Sequence, residues 1–400
     1  MKKCMALLLI AALLMYMAAC GTEGVEDVRT DPSNFKVGAI YINSREDTAG
    51  YTYAHHSGIV SAMESLGMDV ETQLLIEDNV VEDDAQVLAA VDSLVEQGAN
   101  IIFGISFNYM DPMEAAAEKY PHIMFSHGTG YKSNDTNFNN YFGRIYQARY
   151  LAGIAAGLKS LEIGNNNVGY VAAYSTETAE TASGINGFAL GVRAVNPDAQ
   201  IYVKVLGAWG DEQREYSYAT ELVETYGCGI ISQHCDSAKP QIAAENLGAY
   251  GCGYNSDMTP DAPLAHLTAA IWNWDVYYTT ALETALKCKS ANQCVFNMGG
   301  SSYYGGLAQG FVDVSALSEN CAPGTERAIE EIKELIISGQ WDVFSGVKLQ
   351  VSADGTIAMM DDDLMDNQGN LIVHAGAGSL KDDIITATMD YLVEGVLHVE

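Results

Sequence analysis

From residue 36 onward the chain alternates between short apolar runs and amphipathic stretches, and the alternation occurs twice. KVGAIYI (36–42), DVETQLLI (69–76), NIIFGIS (100–106) and HIMFSH (122–127) read as strands. TYAHHSGIVSAMESLG, DDAQVLAAVDSLVEQG and DPMEAAAEKY read as the helices between them. In the second of these Val87, Leu88, Val91, Leu94 and Val95 recur at helical spacing. Apolar strands separated by amphipathic helices are buried on both faces, which calls for a parallel sheet with helices on each side. The pattern restarts with a long helix over 146–160 and strand NVGYVAA (167–173). A helix over 178–195, strand QIYVKVLG, a helix over 213–226, strand GIISQ, a helix near 239–248 and strand GAYGCGY follow. The expected fold is α/β, with two doubly wound parallel-sheet lobes and a ligand cleft between them. The first lobe starts as 36–145 and the second as 146–257.

The residues before the first strand are not part of that alternation. MKK, the apolar run MALLLIAALLMYMAA, and then Cys20 followed by Gly21 match a bacterial lipoprotein signal. The expectation is a signal peptide over 1–19, lipid on Cys20, and a tether over 20–35 that leads to the first strand. The protein is then expected to be exported and held by its lipid on the periplasmic or extracellular face of the membrane. No later stretch is apolar for long enough to span a bilayer. Cys4 leaves with the signal, so six of the eight cysteines remain besides Cys20: Cys228, Cys235, Cys252, Cys288, Cys294 and Cys321. An even number in an exported chain favours disulfides. Cys288 and Cys294 are near enough in sequence to close a small loop, and Cys228 and Cys252 flank strands that can be neighbours.

Asp and Glu number 52 against 20 Lys and Arg, giving a formal charge of −32. Such a surface repels phosphate backbones and excludes a nucleic-acid polymer as partner.

In open α/β sheets ligands bind beyond the carboxyl ends of the strands, so the residues there carry the functional information. Tyr51, Tyr53, His55 and His56 follow the strand at 36–42, and Phe107, Asn108, Tyr109 and Asp111 follow that at 100–106. Trp209 follows the strand at 200–206, His234 and Asp236 follow GIIS, and Asn255 and Asp257 follow GAYGCGY. Trp272, Asn273, Trp274 and Asp275 follow LTAAI. Aromatic rings offer flat faces for stacking, and Asp and Asn read amides, ring nitrogens or hydroxyls. The set suits a heterocycle, a nucleoside or a sugar. Its poverty in Lys and Arg disfavours a phosphorylated ligand.

Several stretches, taken in order, resemble the basic membrane protein family of ABC-transporter substrate-binding lipoproteins, which bind purine bases or nucleosides. They are GYTYAHHSGI (50–59), ISFNYMDP (105–112), FSHGTGYK (125–132), YQARYLAGIAAG (146–157), INGFALGVRAVNP (185–197), AWGDEQRE (208–215), SQHCDSAKPQ (232–241), YNSDM (254–258) and WNWDVYY (272–278). The resemblance covers roughly 36–397. It implies a type I periplasmic-binding fold, with crossing segments within 258–400 completing both lobes. It implies that Tyr51 and Trp209 sandwich the ligand ring, that Asp257 takes ribose hydroxyls or ring polar atoms, and that Asp236 and Phe107 lie near the pocket. Asn273 and Trp274 fall where other members carry a Lys or an Asn-Trp pair, which leaves base and nucleoside both open. The implied partners are a small purine ligand, an ABC permease and the membrane through the lipid, with the protein a monomer.

Each of these residues also has a plainer role open to it. Tyr51, Tyr53 and Trp209 are of a kind that packs cores. His55 suits a polar contact with ligand and His56 a structural or exposed position. Being adjacent on a helix, the two point apart, which disfavours a shared metal. Asp236 and Asp257 would be a carboxylate pair in an exported nucleosidase. No P-loop, nucleophile elbow or dinucleotide fingerprint occurs, so neither catalysis nor a cofactor is expected. A purine sensor and a sugar binder of the same fold also fit this residue pattern.

Overall fold

Each half of the alternation closes into its own sheet. The computed structural model describes residues 32–288 and 302–400. The first sheet contains β1 (Val37–Tyr41), β2 (Leu74–Glu77), β3 (Ile101–Ile105), β4 (Met124–Gly128) and β5 (Phe138–Gly143). A later strand, β11 (Ser302–Gly305), joins its edge, so the order is β11-β5-β4-β3-β1-β2, parallel throughout. Helices α1 (Gly50–Ser65), α2 (Asp84–Glu96) and α3 (Met110–Lys119) connect its strands. β1 and β3 are buried at every position, as strands covered on both faces must be.

The second sheet contains β6 (Asn167–Ala172), β7 (Gln200–Val205), β8 (Ile230–His234), β9 (Tyr250–Asn255), β10 (His266–Trp272), β12 (Val312–Val314) and β17 (Val396–His398), in the order β12-β10-β9-β8-β6-β7-β17. β12 runs antiparallel to β10, so this edge departs from the all-parallel expectation. Helices α4 (Ile145–Ile163), α5 (Ala179–Val195), α6 (Glu212–Glu224) and α7 (Lys239–Asn246) belong to this lobe. The chain passes between lobes from β5 to α4, from β10 to α8 (Trp274–Lys287), and from β11 to β12. α8 packs on α1 of the first lobe. Segments after 258 thus contribute to both sheets.

Helix α4 is buried at every residue from Ile145 to Ser160. It can be, because glycines let α5 come very close. A Cβ on Gly153 would stand 2.2 Å from the Phe188 carbonyl oxygen, and one on Gly191 2.1 Å from that of Tyr150. The N-terminus of α5 is capped by Thr178, whose side chain accepts from the Thr181 amide. The C-terminal stretch then fastens α5 from outside. Asn186 donates to the Tyr391 carbonyl at 2.9 Å and accepts from the Val393 amide at 2.9 Å.

The stretch 69–76 is not one strand. Asp69 accepts from the Glu71 amide and starts a single helical turn, Val70–Gln73, so β2 begins only at Leu74. Nor do Cys228 and Cys252 pair: both are free thiols. Cys252 faces α4, with its sulfur 3.6 Å from the Ala152 carbonyl, whereas Cys228 packs with Leu222 and Ile231 in a separate core cluster. Burial pushes the Cys228 thiol up to about 12. Cys235 and Cys321 are also free, while Cys288 is disulfide-bonded. The proposed signal peptide, lipidated Cys20 and Cys294 lie outside the described residues. Among the described residues no helix is long and apolar enough to cross a membrane.

The α4–α5 approach leaves no room for a side chain. Gly191→Val is expected to cost about 2–3 kcal/mol, lowering the urea midpoint. Gly378→Ala, where an added Cβ meets nothing within 4 Å, is the matched control and should leave the midpoint in place.

Candidate functional site

The carboxyl ends of the two sheets face each other across a narrow cavity. From the first lobe its wall receives Ile42 after β1, Tyr51 in the first turn of α1, Ser106 and Phe107 after β3, and Thr129 after β4. The second lobe contributes Glu180 from the first turn of α5, Trp209 after β7, Asp236 after β8 and Tyr254 of β9. Each lobe thus supplies two aromatic rings, both carboxyl groups come from the second lobe, and no Lys or Arg lines the cavity.

The lobes touch at its rim. Gly50, with φ of +87°, opens α1 against the second lobe, and a Cβ there would stand 1.9 Å from the Asp236 carbonyl oxygen. Only glycine satisfies both the left-handed backbone and the missing volume. The Asp236 amide in turn donates to the Trp209 carbonyl at 3.1 Å, which ties two cavity loops together. Thr129 and Asn255 also carry positive φ, 71° and 68°. Strain of this kind collects at functional sites.

The rings are held by packing behind the wall. Tyr51 meets His55 edge-on at 4.3 Å, and His55 stacks on Trp274 at 3.8 Å, which stacks on Trp272 at 4.5 Å. Trp209 lies edge-on to Tyr174 at 5.2 Å. Under Tyr254 the Arg149 guanidinium sits 3.8 Å from the ring centroid, a cation–π contact in a dry setting. One Arg149 nitrogen donates to the Gln233 carbonyl at 2.6 Å, but among the described residues Nε and Nη2 find no hydrogen-bond partner.

The electrostatics of the second-lobe wall are unusual. Burial pushes the Glu180 carboxyl up to about 7, against the pull of Arg149. Burial, then Glu215 and Glu180, hold Asp236 well above the ordinary carboxylate range, while a contact from Asn255 opposes the shift. That contact is long, at 3.5 Å. His234 is fully buried, and among the described residues neither of its ring nitrogens has a hydrogen-bond partner. Burial and Arg149 hold it well below the usual histidine range and so keep it uncharged.

Tyr51, Phe107, Trp209 and Asp236, four of the residues singled out from sequence, meet in this cavity. The others do not line it. Tyr53, Asp257, Asn273 and Trp274 border a separate groove beside α1. Tyr53 is 36% exposed there. Asp257 turns onto its own loop and accepts from the Thr259 amide and hydroxyl at 2.9 and 2.6 Å. Asn273 donates to the Gly310 carbonyl at 2.8 Å. Trp274 and His55 are core rings, the latter with Nδ1 2.6 Å from the Tyr278 hydroxyl. His56 points elsewhere, 3.1 Å from the Tyr41 hydroxyl. Among the described residues no group of three or more His, Cys, Asp or Glu could hold a metal ion.

Sequence inspection passed over Glu180, Thr129, Ser106, Tyr254 and Arg149. Glu180 was recoverable, since it starts the helix after β6 and so obeys the same strand-end rule. Arg149 was not, because its importance comes from a helix that crosses beneath the cavity.

The family model for PnrA-like ABC transporter substrate-binding proteins (Bmp) matches residues 35–343. The chain belongs to this family. A purine-binding protein of Brucella abortus (strain 2308) is 33% identical over 311 residues, 78% of this chain and 83% of that protein. A putative ABC transporter glucose-binding protein, TsgA13 of Haloferax volcanii, is 33% identical over 255 residues, 64% of this chain and 61% of that protein. Among solved structures, an ABC transporter solute-binding protein of Aeropyrum pernix K1 superposes with a TM-score of 0.63 at 17% identity, covering 79% of this chain and 93% of that one. That likeness supports the fold alone. Members of this family are extracytoplasmic substrate-binding proteins rather than enzymes. Residues 344–400, including the hairpin of β13 (Val347–Val351) and β14 (Ile357–Asp361), the short pair β15 (Leu364–Met365) and β16 (Leu371–Val373), and β17, fall beyond the family match.

Two expectations test this geometry. Gly50→Ala should prop the lobes apart at the Asp236 carbonyl, read as a larger radius of gyration by X-ray scattering. Glu180→Gln should alter the pH dependence of stability. A carboxyl raised in the folded state stabilises fully below its unfolded value, and that contribution is lost as pH rises through about 7. Wild type should therefore lose on the order of 2 kcal/mol relative to Glu180→Gln between about pH 4.5 and 7.5, measured as the difference between their urea unfolding free energies.

Proposed function

We propose that this protein is a lipid-anchored solute-binding protein that captures a purine base or nucleoside in the interlobe cavity and delivers it to an ABC importer. The carrying observation is the cavity wall. Tyr51 and Phe107 from one lobe oppose Trp209 and Tyr254 from the other, with Glu180 and Asp236 beside them. Aromatic surfaces on both lobes accommodate a flat ring, and two carboxyl groups match ring N–H donors. A wall without Lys or Arg suits an uncharged ligand and not a phosphorylated one. The Brucella relative is named for purine binding, and the Cys20–Gly21 signal supports the lipid anchor. Binding closes the two lobes on the ring, and the closed form is what the importer reads.

A sugar is the second reading, because carboxyl groups flanked by aromatic rings also bind hydroxyl-rich rings and one relative is named as a putative glucose-binding protein. Calorimetry on the protein from residue 21, freed of co-purified ligand, separates the two. Adenine, adenosine, guanosine, inosine, uridine, ribose and glucose form the panel. One-to-one binding of a purine is expected, weakened about ten- to a hundred-fold by Trp209→Ala and by Tyr51→Ala. Saturable binding of glucose or ribose with no purine signal would overturn the assignment in favour of the sugar.

A further inference from the structure

We propose that Glu180 is the specificity-determining residue of the cavity, its carboxylate accepting from the exocyclic amine of an aminopurine and rejecting a purine with a carbonyl at the same ring position. The proposal rests on the purine reading above and names the subclass of purine.

Glu180 lies in the cavity wall with its side chain 15% exposed. Among the described residues its carboxyl group makes no hydrogen bond. His234 Nε2 stands 3.7 Å from Oε1, beyond hydrogen-bond range. Arg149, the nearby cation, does not neutralise it by contact, since that guanidinium donates to the Gln233 carbonyl and lies against Tyr254. The carboxyl oxygens therefore face the cavity with lone pairs that no protein donor covers. A buried acceptor left in that state costs on the order of 1–3 kcal/mol, so the ligand that relieves it must bring hydrogen-bond donors, which on the purine reading are N–H groups.

Purines differ in what they bring. Adenine presents an amine at position 6 and a bare nitrogen acceptor at N1, whereas hypoxanthine presents a carbonyl oxygen at position 6 and an N–H at N1, so the two edges are complementary in pattern. A carboxylate accepts from the amine and repels the carbonyl. When protonated, the same carboxyl group has one donor and one acceptor and tolerates either edge. The charged and titratable groups around Glu180 are Arg149 from α4, His234 and Asp236 at the end of β8, Tyr254 of β9, Tyr51 of α1 and Tyr304 of β11. The tyrosines are pushed up by burial and His234 is held down by it, so these groups stay uncharged around neutrality. Burial places the Glu180 change near pH 7, so discrimination should sharpen as the pH rises past it.

The experiment is calorimetric titration of adenine and hypoxanthine into the ligand-free protein at pH 5.5 and pH 8. Wild type is expected to bind adenine about ten-fold or more tighter than hypoxanthine at pH 8, with a smaller gap at pH 5.5. Glu180→Gln, which offers an amide donor to the carbonyl, should close the gap at pH 8 and abolish its pH dependence. Glu180→Asp should retain the pH dependence with weaker binding. It also keeps the test decisive should the Gln variant fail to fold. An adenine preference that persists in Glu180→Gln, or hypoxanthine favoured by wild type at pH 8, overturns the proposal while the purine reading stands. Binding of neither base to folded wild type removes the proposal, and if adenosine, guanosine and inosine also fail to bind, the purine reading goes with it.

Discussion

The burial of α4 along nearly its whole length is the constraint from which the rest of the site follows. A helix enclosed on all sides must find small partners, and Gly153 and Gly191 supply them by letting the α4 and α5 backbones come almost into contact. That contact fixes α5, and α5 carries Glu180 in its first turn. The same α4 brings Arg149 under Tyr254. One packing decision therefore places an acid in the cavity wall and a cation beneath it, at a separation that lets them influence each other without pairing.

This arrangement makes the cavity a place where proton affinity is set by burial rather than by partners. Glu180 and Asp236 are pushed up and His234 is pushed down, each chiefly because its charged form is poorly solvated. The chain as a whole is strongly acidic, and a minority of its surface acids sit in ion pairs, as Asp111 and Glu114 do with Lys132. Among the described residues neither Glu180 nor Asp236 pairs with a Lys or Arg, and a ligand's hydrogen-bond donors are the groups that would cover their lone pairs.

Much of the fold was legible because parallel strands buried on both faces leave an unmistakable apolar signature, as KVGAIYI and NIIFGIS do. β2 was misjudged where Asp69 caps a turn, a local hydrogen bond that overrides strand propensity. β5, FNNYFG, escaped notice because its asparagines are buried through hydrogen bonds, Asn139 to the Tyr277 hydroxyl for one. At the site, strand-end position selected Tyr51, Phe107, Trp209 and Asp236 for the cavity but could not tell which side of a strand end faces it. Hence Trp274 and His55 turned out to be the stacked support behind Tyr51, and Asp257 a loop-capping carboxylate. Arg149 and Tyr254 depend on how distant segments cross, which no local pattern encodes.

The central claim is that a purine ring lies between the lobes at this cavity. A crystal structure of the protein with adenine tests it most directly. The account predicts electron density for the ring between Tyr51 and Phe107 on one side and Trp209 on the other, with Glu180 and Asp236 along its edge. Density instead in the groove beside Tyr53 and Asn273, or an empty interlobe cavity at saturating adenine, would contradict it.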